Sequence, residues 1–477
     1  MEKKEVISSM IWKLSERIGV QGVQFLVNII LARLLEPEDY GTIALITVFI
    51  TLANVTVQGG FNTALIQKKN PDRTDYSSVF YFSLAVSCVI YAALFFLAPV
   101  LSAVYREPVL TPVVRVLGLT VVAGSVNSIQ TAYAQKNMKY KCLFCSSLSA
   151  IAVSGCTGVF MAYKGYGVWA LAGQQLTNIS VSVIVMFFTV KWKPALDFSR
   201  NRLHALVSFG WKILASNFLT TFFLNLRSLL IGRIYTSSML AYYERGKQFP
   251  EIILGNVSSA IQPVMLTAYS SEQENLTRVK NMVRKSMRTC IYLTAPMMTG
   301  LMCVCEPLVR LMLTDKWTAC VPYMRVQCLI YLLLPITTTN LQAVSALGKS
   351  DVILRLDIQR KIVELAVLFL TIRMGVWEIT LGALVSAVIG TAINIRPNVK
   401  ILGYSYKEQI CDFAPGLGLS ALMGIAVSLS GMAVRHDFAK LCIQTVTGAV
   451  LYLFLSWIFN IDVFREIIGV IRNKNRS

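Results

Sequence analysis

Residues 205–234 read ALVSFGWKILASNFLTTFFLNLRSLLIGRI, with Lys212, Arg227 and Arg233 as the only charges. A helix crosses a bilayer with about 20 mostly apolar residues, so this stretch reads as a membrane span starting near Ala205. Its polar positions are ordered. At 100° per residue, Lys212, Ser216, Thr220 and Arg227 form one stripe, and Asn217, Thr221, Asn225 and Ser228 form an adjacent one. Polar groups facing lipid are costly, at least ~2.5–3.5 kcal/mol for a charge at the bilayer centre. The stripes therefore face protein or a water-filled cavity.

The rest of the chain fits the same reading. Of 477 residues, 55% are hydrophobic and 15% charged, against roughly 25% charged in soluble domains; mean hydropathy is +0.59. Breaks at charged, proline and glycine residues leave fourteen candidate spans. They start near Met10, Tyr40, Tyr76, Val109, Lys141, Tyr166, Ala205, Ser238, Ser286, Ala319, Val352, Val376, Glu408 and Phe438. Little length is left for an extramembrane domain. Hydrophobicity excludes disorder, and length excludes a disulfide scaffold. The expected class is an all-α polytopic membrane protein.

Lys and Arg total 45 against 25 Asp and Glu. In so apolar a chain, basic loops on one side of a membrane explain this excess better than nucleic acid. Alternate loops support the span count: thirty Lys and Arg fall on the side of Lys68–Lys69, Arg200–Arg202 and Arg284–Lys285, and ten on the side of Lys164 and Arg373. The positive-inside rule puts both termini in the cytoplasm. The N-terminal apolar stretch carries Lys13, Glu16 and Arg17 and lacks a small-residue cleavage pattern, so it does not read as a signal peptide.

The chain also repeats itself. Trp12-Lys13-Leu14 recurs as Trp211-Lys212-Ile213, and Arg33 ahead of Tyr40 recurs as Arg233 ahead of Tyr242. An even number of spans per repeat makes the halves parallel, a transporter design with substrate bound between them. The expected organisation is a six-helix lobe over 1–200, a second over 201–403, a central cavity, and two further helices with a tail over 404–477.

Three more spans carry stripes like that of the seventh. Lys13, Arg17, Gln21, Gln24 and Asn28 share a face of the first, and Thr47, Thr51, Asn54, Gln58 and Asn62 a face of the second. The eighth aligns Glu244, Gln248, Glu251, Ser259 and Gln262, with Arg245 and Lys247 nearby. The third, fifth, sixth and ninth spans are nearly free of such residues. The striped spans are those the repeat makes equivalent, so the candidate substrate-binding set is Arg17, Gln24, Asn28, Asn54, Gln58, Lys212, Asn217, Asn225, Arg227, Glu244, Arg245 and Gln262. Interhelical hydrogen bonding is the competing explanation. The basic surplus suits an anion, and Arg forks match phosphate oxygens. Lys13, Arg17 and Lys212 at the interface also suit lipid headgroups.

Pro99, Pro263, Pro296, Pro335 and the Gly59-Gly60 pair offer bends within the spans. No catalytic constellation is visible. His204 and His436 lack partnered nucleophiles, and the cysteine pairs Cys142-x-x-Cys145 and Cys303-x-Cys305 have no matching pair at zinc spacing. No phosphate-binding G-x-x-x-x-G-K-[ST] loop occurs, so no cofactor or metal is expected. Asp357, Lys361 and Glu364 share a face of the eleventh span and read as a local ion pair or a proton site. Asn178 and Asn275 match the glycosylation pattern in positions where it is not used.

Several motifs carry a family resemblance. Leu31-Ala32-Arg33-Leu34-Leu35-Glu36-Pro37-Glu38-Asp39-Tyr40-Gly41 resembles the first-loop signature of bacterial polysaccharide-export flippases, the Wzx-like branch of the multidrug/oligosaccharidyl-lipid/polysaccharide superfamily. Gln135-Lys136-Asn137-Met138-Lys139-Tyr140, Tyr166-Gly167-Val168-Trp169-Ala170-Leu171, Tyr242-Tyr243-Glu244-Arg245 and Ala346-Leu347-Gly348-Lys349-Ser350-Asp351 also fit. The match runs from the first span to about the twelfth. It implies two six-helix lobes around a central cavity plus two helices, and flipping of undecaprenyl-pyrophosphate-linked oligosaccharides across the cytoplasmic membrane. It further implies membrane lipids and the polysaccharide polymerase machinery as partners, and coupling to an ion gradient for which no residue can be carried over. A polymerase or ligase enzyme is the first alternative, disfavoured by the short outer loops. A cation-coupled drug exporter is the second, disfavoured by the basic faces.

Overall fold

The computed structural model describes residues 3–58, 60, 65, 68, 71–190, 192, 194–195, 199–432, 434–459, 461 and 463–465, less the side chains of 3–11, 14, 17–18, 200–206, 208–209 and 260. The described residues are helical almost throughout, and no strand occurs among them. The helices are α1 Lys3–Leu34, α2 Pro37–Gln58, α3 Arg73–Tyr105, α4 Leu110–Lys136, α5 Tyr140–Tyr163, α6 Val168–Val190, α7 Arg200–Ile234 and α8 Ser237–Ser271. They continue with α9 Leu276–Leu313, α10 Val321–Leu332, α11 Leu334–Ala346, α12 Ser350–Thr371, α13 Val376–Ile401, α14 Tyr406–Met432 and α15 Asp437–Ile458. A 3-10 turn, Asp315–Cys320, leads into α10.

Among the described residues, twelve stretches are long and apolar enough to span a membrane, and α1 adds the shorter run Gly19–Leu34. The turn with α10 and α11 makes one such stretch, Asp315–Ala346, while α12 is not among them. Six charges on α12, from Asp351 to Glu364, hold its hydropathy down. Fourteen is thus an approximate count, and the polytopic all-helical class is observed.

Local sequence accounts for the element ends. Pro37 opens α2, where its fixed φ suits a first turn. Asn275, a formal glycosylation match, caps α9 by accepting from the Arg278 N–H at 3.1 Å. Gly167 takes φ +54° in the α5–α6 turn, and a Cβ there would meet Asp39 Oδ1 at 2.9 Å. Two of the resembling motifs therefore meet at a turn that only glycine fits. Pro99, Pro263 and Pro296 lie inside helices, as do Pro250, Pro307, Pro397 and Pro415. Pro335 instead sits in the first turn of α11, so the tenth span is broken rather than bent. Gly59 lies outside the described residues.

The chain forms two compact units, Met1–Ala241 and Tyr242–Ser477. In the first, α5 packs on α1 and α6, α3 on α4, and α2 on α4 and α7. Val27, Leu31, Ile46, Ile50 and Leu117 belong to its main core. In the second, α9 packs on α10, α14 and α15, and α12 on α13. Helix α3 shows the lipid-exposed pattern: Ser77, Ser78, Ser83 and Ser87 are buried while Val89, Phe96, Leu97 and Val100 are exposed. Small residues let helices approach and large apolar ones meet hydrocarbon, as expected in a bilayer.

Candidate substrate path

Helices α1, α2 and α7 of the first unit present the polar stripes. On α1, Gln24 Nε2 donates to Asn28 Oδ1 at 3.0 Å. On α2, Gln58 Nε2 donates to Asn54 Oδ1 at 3.2 Å, and Gly124 of α4 leaves the notch in which this pair sits. On α7, Asn225 Nδ2 donates to the Thr221 carbonyl at 2.8 Å, and the Thr220 hydroxyl to that of Ser216 at 2.8 Å. All four bonds stay within one helix. Lys212, Ser216, Asn217 and Thr220 are exposed, and Gln24, Asn28, Asn54, Gln58, Asn225 and Arg227 half-buried. The Arg17 side chain and Asn62 lie outside the described residues.

Interhelical bonding is found elsewhere in the unit. Ser146 of α5 lies 3.0 Å from Ser182 of α6, which donates to Asn127 of α4 at 3.1 Å. Asn178 of α6 donates to Ser154 of α5 at 3.2 Å, and Ser87 of α3 to Ser125 of α4 at 3.2 Å. The fifth and sixth spans, expected to be nearly free of polar residues, carry the short hydroxyls that join this half together. Gln175 of α6 reaches Thr47 at 3.4 Å, the weakest of these contacts. Glu16 of α1 accepts from Ser147 at 3.0 Å and pairs with Lys13 at 2.9 Å, so its charge is compensated locally.

In the second unit the α8 residues separate into two roles. Glu244 and Gln262 are half-buried. Arg245 is 7% exposed, lies 5.1 Å from the Trp317 ring centroid and donates to Gln248 Oε1 at 2.6 Å. Lys247 and Glu251 stand 4.0 Å apart. Asp357 pairs with Arg360 at 2.7 Å, and Lys361 with Glu364 at 3.5 Å, so the eleventh-span charges form two local ion pairs.

Sequence reading missed the strongest ionic feature. The Asp412 side chain on α14 is fully buried and accepts from Arg284 Nε at 2.7 Å, from both Arg288 Nε and Nη2, and from the Tyr404 hydroxyl at 2.7 Å. Burial, with its bond to Asp412, pushes the Tyr404 phenol's pKa up, so it donates as a neutral hydroxyl. Glu408 pairs with Lys280 at 2.9 Å beside it. Further along α9, α14 and α15 lies an almost wholly apolar cavity of about 710 Å³, lined by residues such as Met297, Leu301, Val304, Met423, Ala449 and Tyr452.

A family model described as polysaccharide biosynthesis protein matches residues 30–322, α2 through α9 with the faces just described on α2, α7 and α8. The chain belongs to the polysaccharide biosynthesis protein family. Within that family's wider kin, it is 22% identical to the succinoglycan biosynthesis transport protein ExoT of Rhizobium meliloti, over 98% of this chain and 96% of that one. The lipopolysaccharide biosynthesis protein WzxC of Escherichia coli is 21% identical over 89% of each chain. The teichuronic acid biosynthesis protein TuaB of Bacillus subtilis is 20% identical over 95% of each. Among solved structures, the lipid II flippase MurJ in an inward closed conformation superposes with TM-score 0.76 at 16% identity, over 97% of this chain and 100% of that one. An inward-facing MATE multidrug transporter of the MOP superfamily gives 0.62 at 16% identity, over 80% and 96%. This member of the polysaccharide biosynthesis family thus has the MurJ/MATE fold. Like them it is a multi-span helical membrane protein.

Proposed function

We propose that this protein flips lipid-linked oligosaccharide repeat units, carried on undecaprenyl pyrophosphate, across the cytoplasmic membrane by alternating access, with both termini in the cytoplasm. One observation carries the reading. The amides of Gln24, Asn28, Asn54, Gln58 and Asn225 bond along their own helices, while hydroxyls with the amides of Asn127 and Asn178 on α3 to α6 hold the helices together. Polar residues in a membrane serve either adhesion or passage. In this half of the molecule the short bonds between helices gather on α3 to α6, while the striped face of α2 takes part through the long 3.4 Å Thr47–Gln175 contact and α1 through Glu16 and Ser147.

These amides, with Asn217, Gln262 and Glu244, hydrogen-bond sugar hydroxyls. Arg227 and Arg17 receive the pyrophosphate, and Lys212 draws the anionic head toward the face. Arg245, held beneath Trp317, fixes α8 rather than touching substrate. The repeats over 1–200 and 201–403 each contribute a striped helix pair, and 404–477 is appended to them. The polymer-forming machinery takes the flipped unit. The names succinoglycan transport protein and lipid II flippase among its likenesses support this cargo.

Profiling of lipid-linked intermediates in a deletion strain tests the proposal. Accumulation of a complete, unpolymerised repeat unit on the cytoplasmic face is expected. Accumulation of a truncated unit indicates an assembly enzyme instead, and an unchanged profile sinks the assignment.

A further inference from the structure

Helix α7 is held differently at its two ends. Before its first turn, the backbone N–H of Ala195 donates to Ser77 Oγ at 2.9 Å, and that of Ser199 to Ser78 Oγ at 3.0 Å. Trp192 of the same segment is buried against Tyr76, Phe80 and Tyr133. A little further on, Gly210 meets Gly60 so closely that a Cβ on Gly60 would stand 2.0 Å from the Gly210 carbonyl oxygen. Both serine acceptors are themselves buried, and opening this end would strand backbone donors away from water.

The opposite end is closed by different means. Gly41, at the start of α2, abuts the first residue of α8: a Cβ there would stand 1.7 Å from the Ser237 carbonyl oxygen. One turn along, Gly232 of α7 lies under Leu45, whose Cδ2 would stand 2.2 Å from a Cβ there. Ser237 Oγ then donates to Glu107 Oε1 at 2.7 Å. Glu107 is half-buried and belongs to the short α3–α4 turn, where Arg106 takes φ +59°. Opening here breaks one hydrogen bond to a half-exposed carboxylate that water can still reach, whereas opening at Ser77 and Ser78 leaves buried backbone donors without acceptors.

We propose that α7 swings about the end anchored by Trp192, Ala195, Ser199 and Gly210, and that Glu107 and Ser237 form the latch holding the other end of the α2–α7 seam shut. Gly41 is the surface on which that seam closes, and its missing side chain lets the backbones touch. Asn225 and Arg227 lie along the same helix, so release of the latch bares them to the side on which Glu107 lies. This inference rests on the reading of the protein as an alternating-access transporter.

The test places a reporter thiol, Asn225→Cys, in a full-length background lacking native cysteine. A charged methanethiosulfonate reagent is applied to sealed vesicles from one side at a time. Glu107→Ala and Ser237→Ala are each expected to raise labelling from the Glu107 side roughly tenfold, the scale of losing one hydrogen bond to a charged acceptor. The double variant should go no further than either single one. Glu107→Gln keeps a carbonyl acceptor and should stay near the parent, and Ser78→Ala, at the pivot, should leave this labelling unchanged. Unchanged labelling in well-inserted Glu107→Ala and Ser237→Ala overturns the latch, as does an equal rise in Glu107→Gln. If Glu107→Ala fails to accumulate, Gly41→Val keeps the idea at risk, because its Cβ forbids closure and must give the same rise. Labelling needs no cargo. A latch that responds as stated in a strain whose polymer does not depend on this protein would remove the flippase reading and leave the latch standing.

Discussion

Arg245 lies under Trp317, its guanidinium carbon 5.1 Å from the ring centroid, and Trp317 is itself fully buried with Tyr242 packed against its edge. A desolvated cation over an indole contributes about 2 kcal/mol, so the pair fixes the start of α8 against the 3-10 turn before α10. Arg245→Ala and Trp317→Leu should each lower melting temperature and membrane abundance, while export per inserted molecule stays near normal. A well-inserted Arg245→Ala protein that exports nothing would return Arg245 to the substrate.

The striped faces make a second prediction. Cysteines at Gln24, Asn54, Asn225 and Gln262, in a background lacking native cysteine, should react with water-soluble thiol reagents. Cysteines at Leu84 and Val183, on helices without stripes, should not. Equal reactivity in the two sets would mean that the stripes line no aqueous path.

How far the sequence speaks depends on the range of the interaction. Spans and stripes are local in sequence, and the 3.6-residue period displays both, so the class and the faces of α1, α2 and α7 are legible. Arg245 shows the limit. It shares a helix with Glu244 and Gln248, and periodicity cannot tell a face packed beneath a tryptophan 72 positions away from one open to substrate. Serines 146, 154 and 182 pass for apolar filler because a hydroxyl barely lowers a span's hydropathy, yet they bridge helices. Arg284 and Arg288 read as loop charges because their partner, Asp412, lies more than a hundred residues on.

That Asp412 knot is the third prediction. Its carboxylate compensates two guanidiniums at once, and breaking a buried ion pair by deleting one partner costs about 3–5 kcal/mol. The arginines here keep some exposure, so the lower figure is expected for Asp412→Asn. Thermal unfolding should show the loss, and Asp412→Asn with Arg288→Met should recover part of it. A destabilisation that the second change deepens would mean that Arg288 has a role apart from Asp412.

Topology makes the fourth. With thirty basic residues on one set of loops and ten on the other, reporters fused after Lys69, Arg202 and Lys285 should read as cytoplasmic, and those after Lys164 and Arg373 as external. A cytoplasmic reading at Lys164 breaks the alternation and with it the assignment of the termini.

The fifth separates a flippase from an exporter of cations. Arg227 lies well inside the seventh span, on the face of Lys212, Ser216 and Thr220, and α7 contains no acidic residue. Its Nε is buried in the fold. A guanidinium in such a place is costly to hold, so it answers either to structure or to cargo. If it receives the pyrophosphate, Arg227→Ala should abolish polymer export while leaving the protein inserted at normal abundance. Arg227→Lys should recover only part of the activity, because an ammonium keeps the charge and loses the two-pronged fork. A structural role predicts a different result: lower abundance in Arg227→Ala, relieved by neutralising an acidic partner elsewhere in the chain. Export and membrane abundance measured together on the same variants distinguish the two. Normal export by a well-inserted Arg227→Ala protein removes this residue from the substrate path and takes with it the main reason for expecting an anionic cargo on α7.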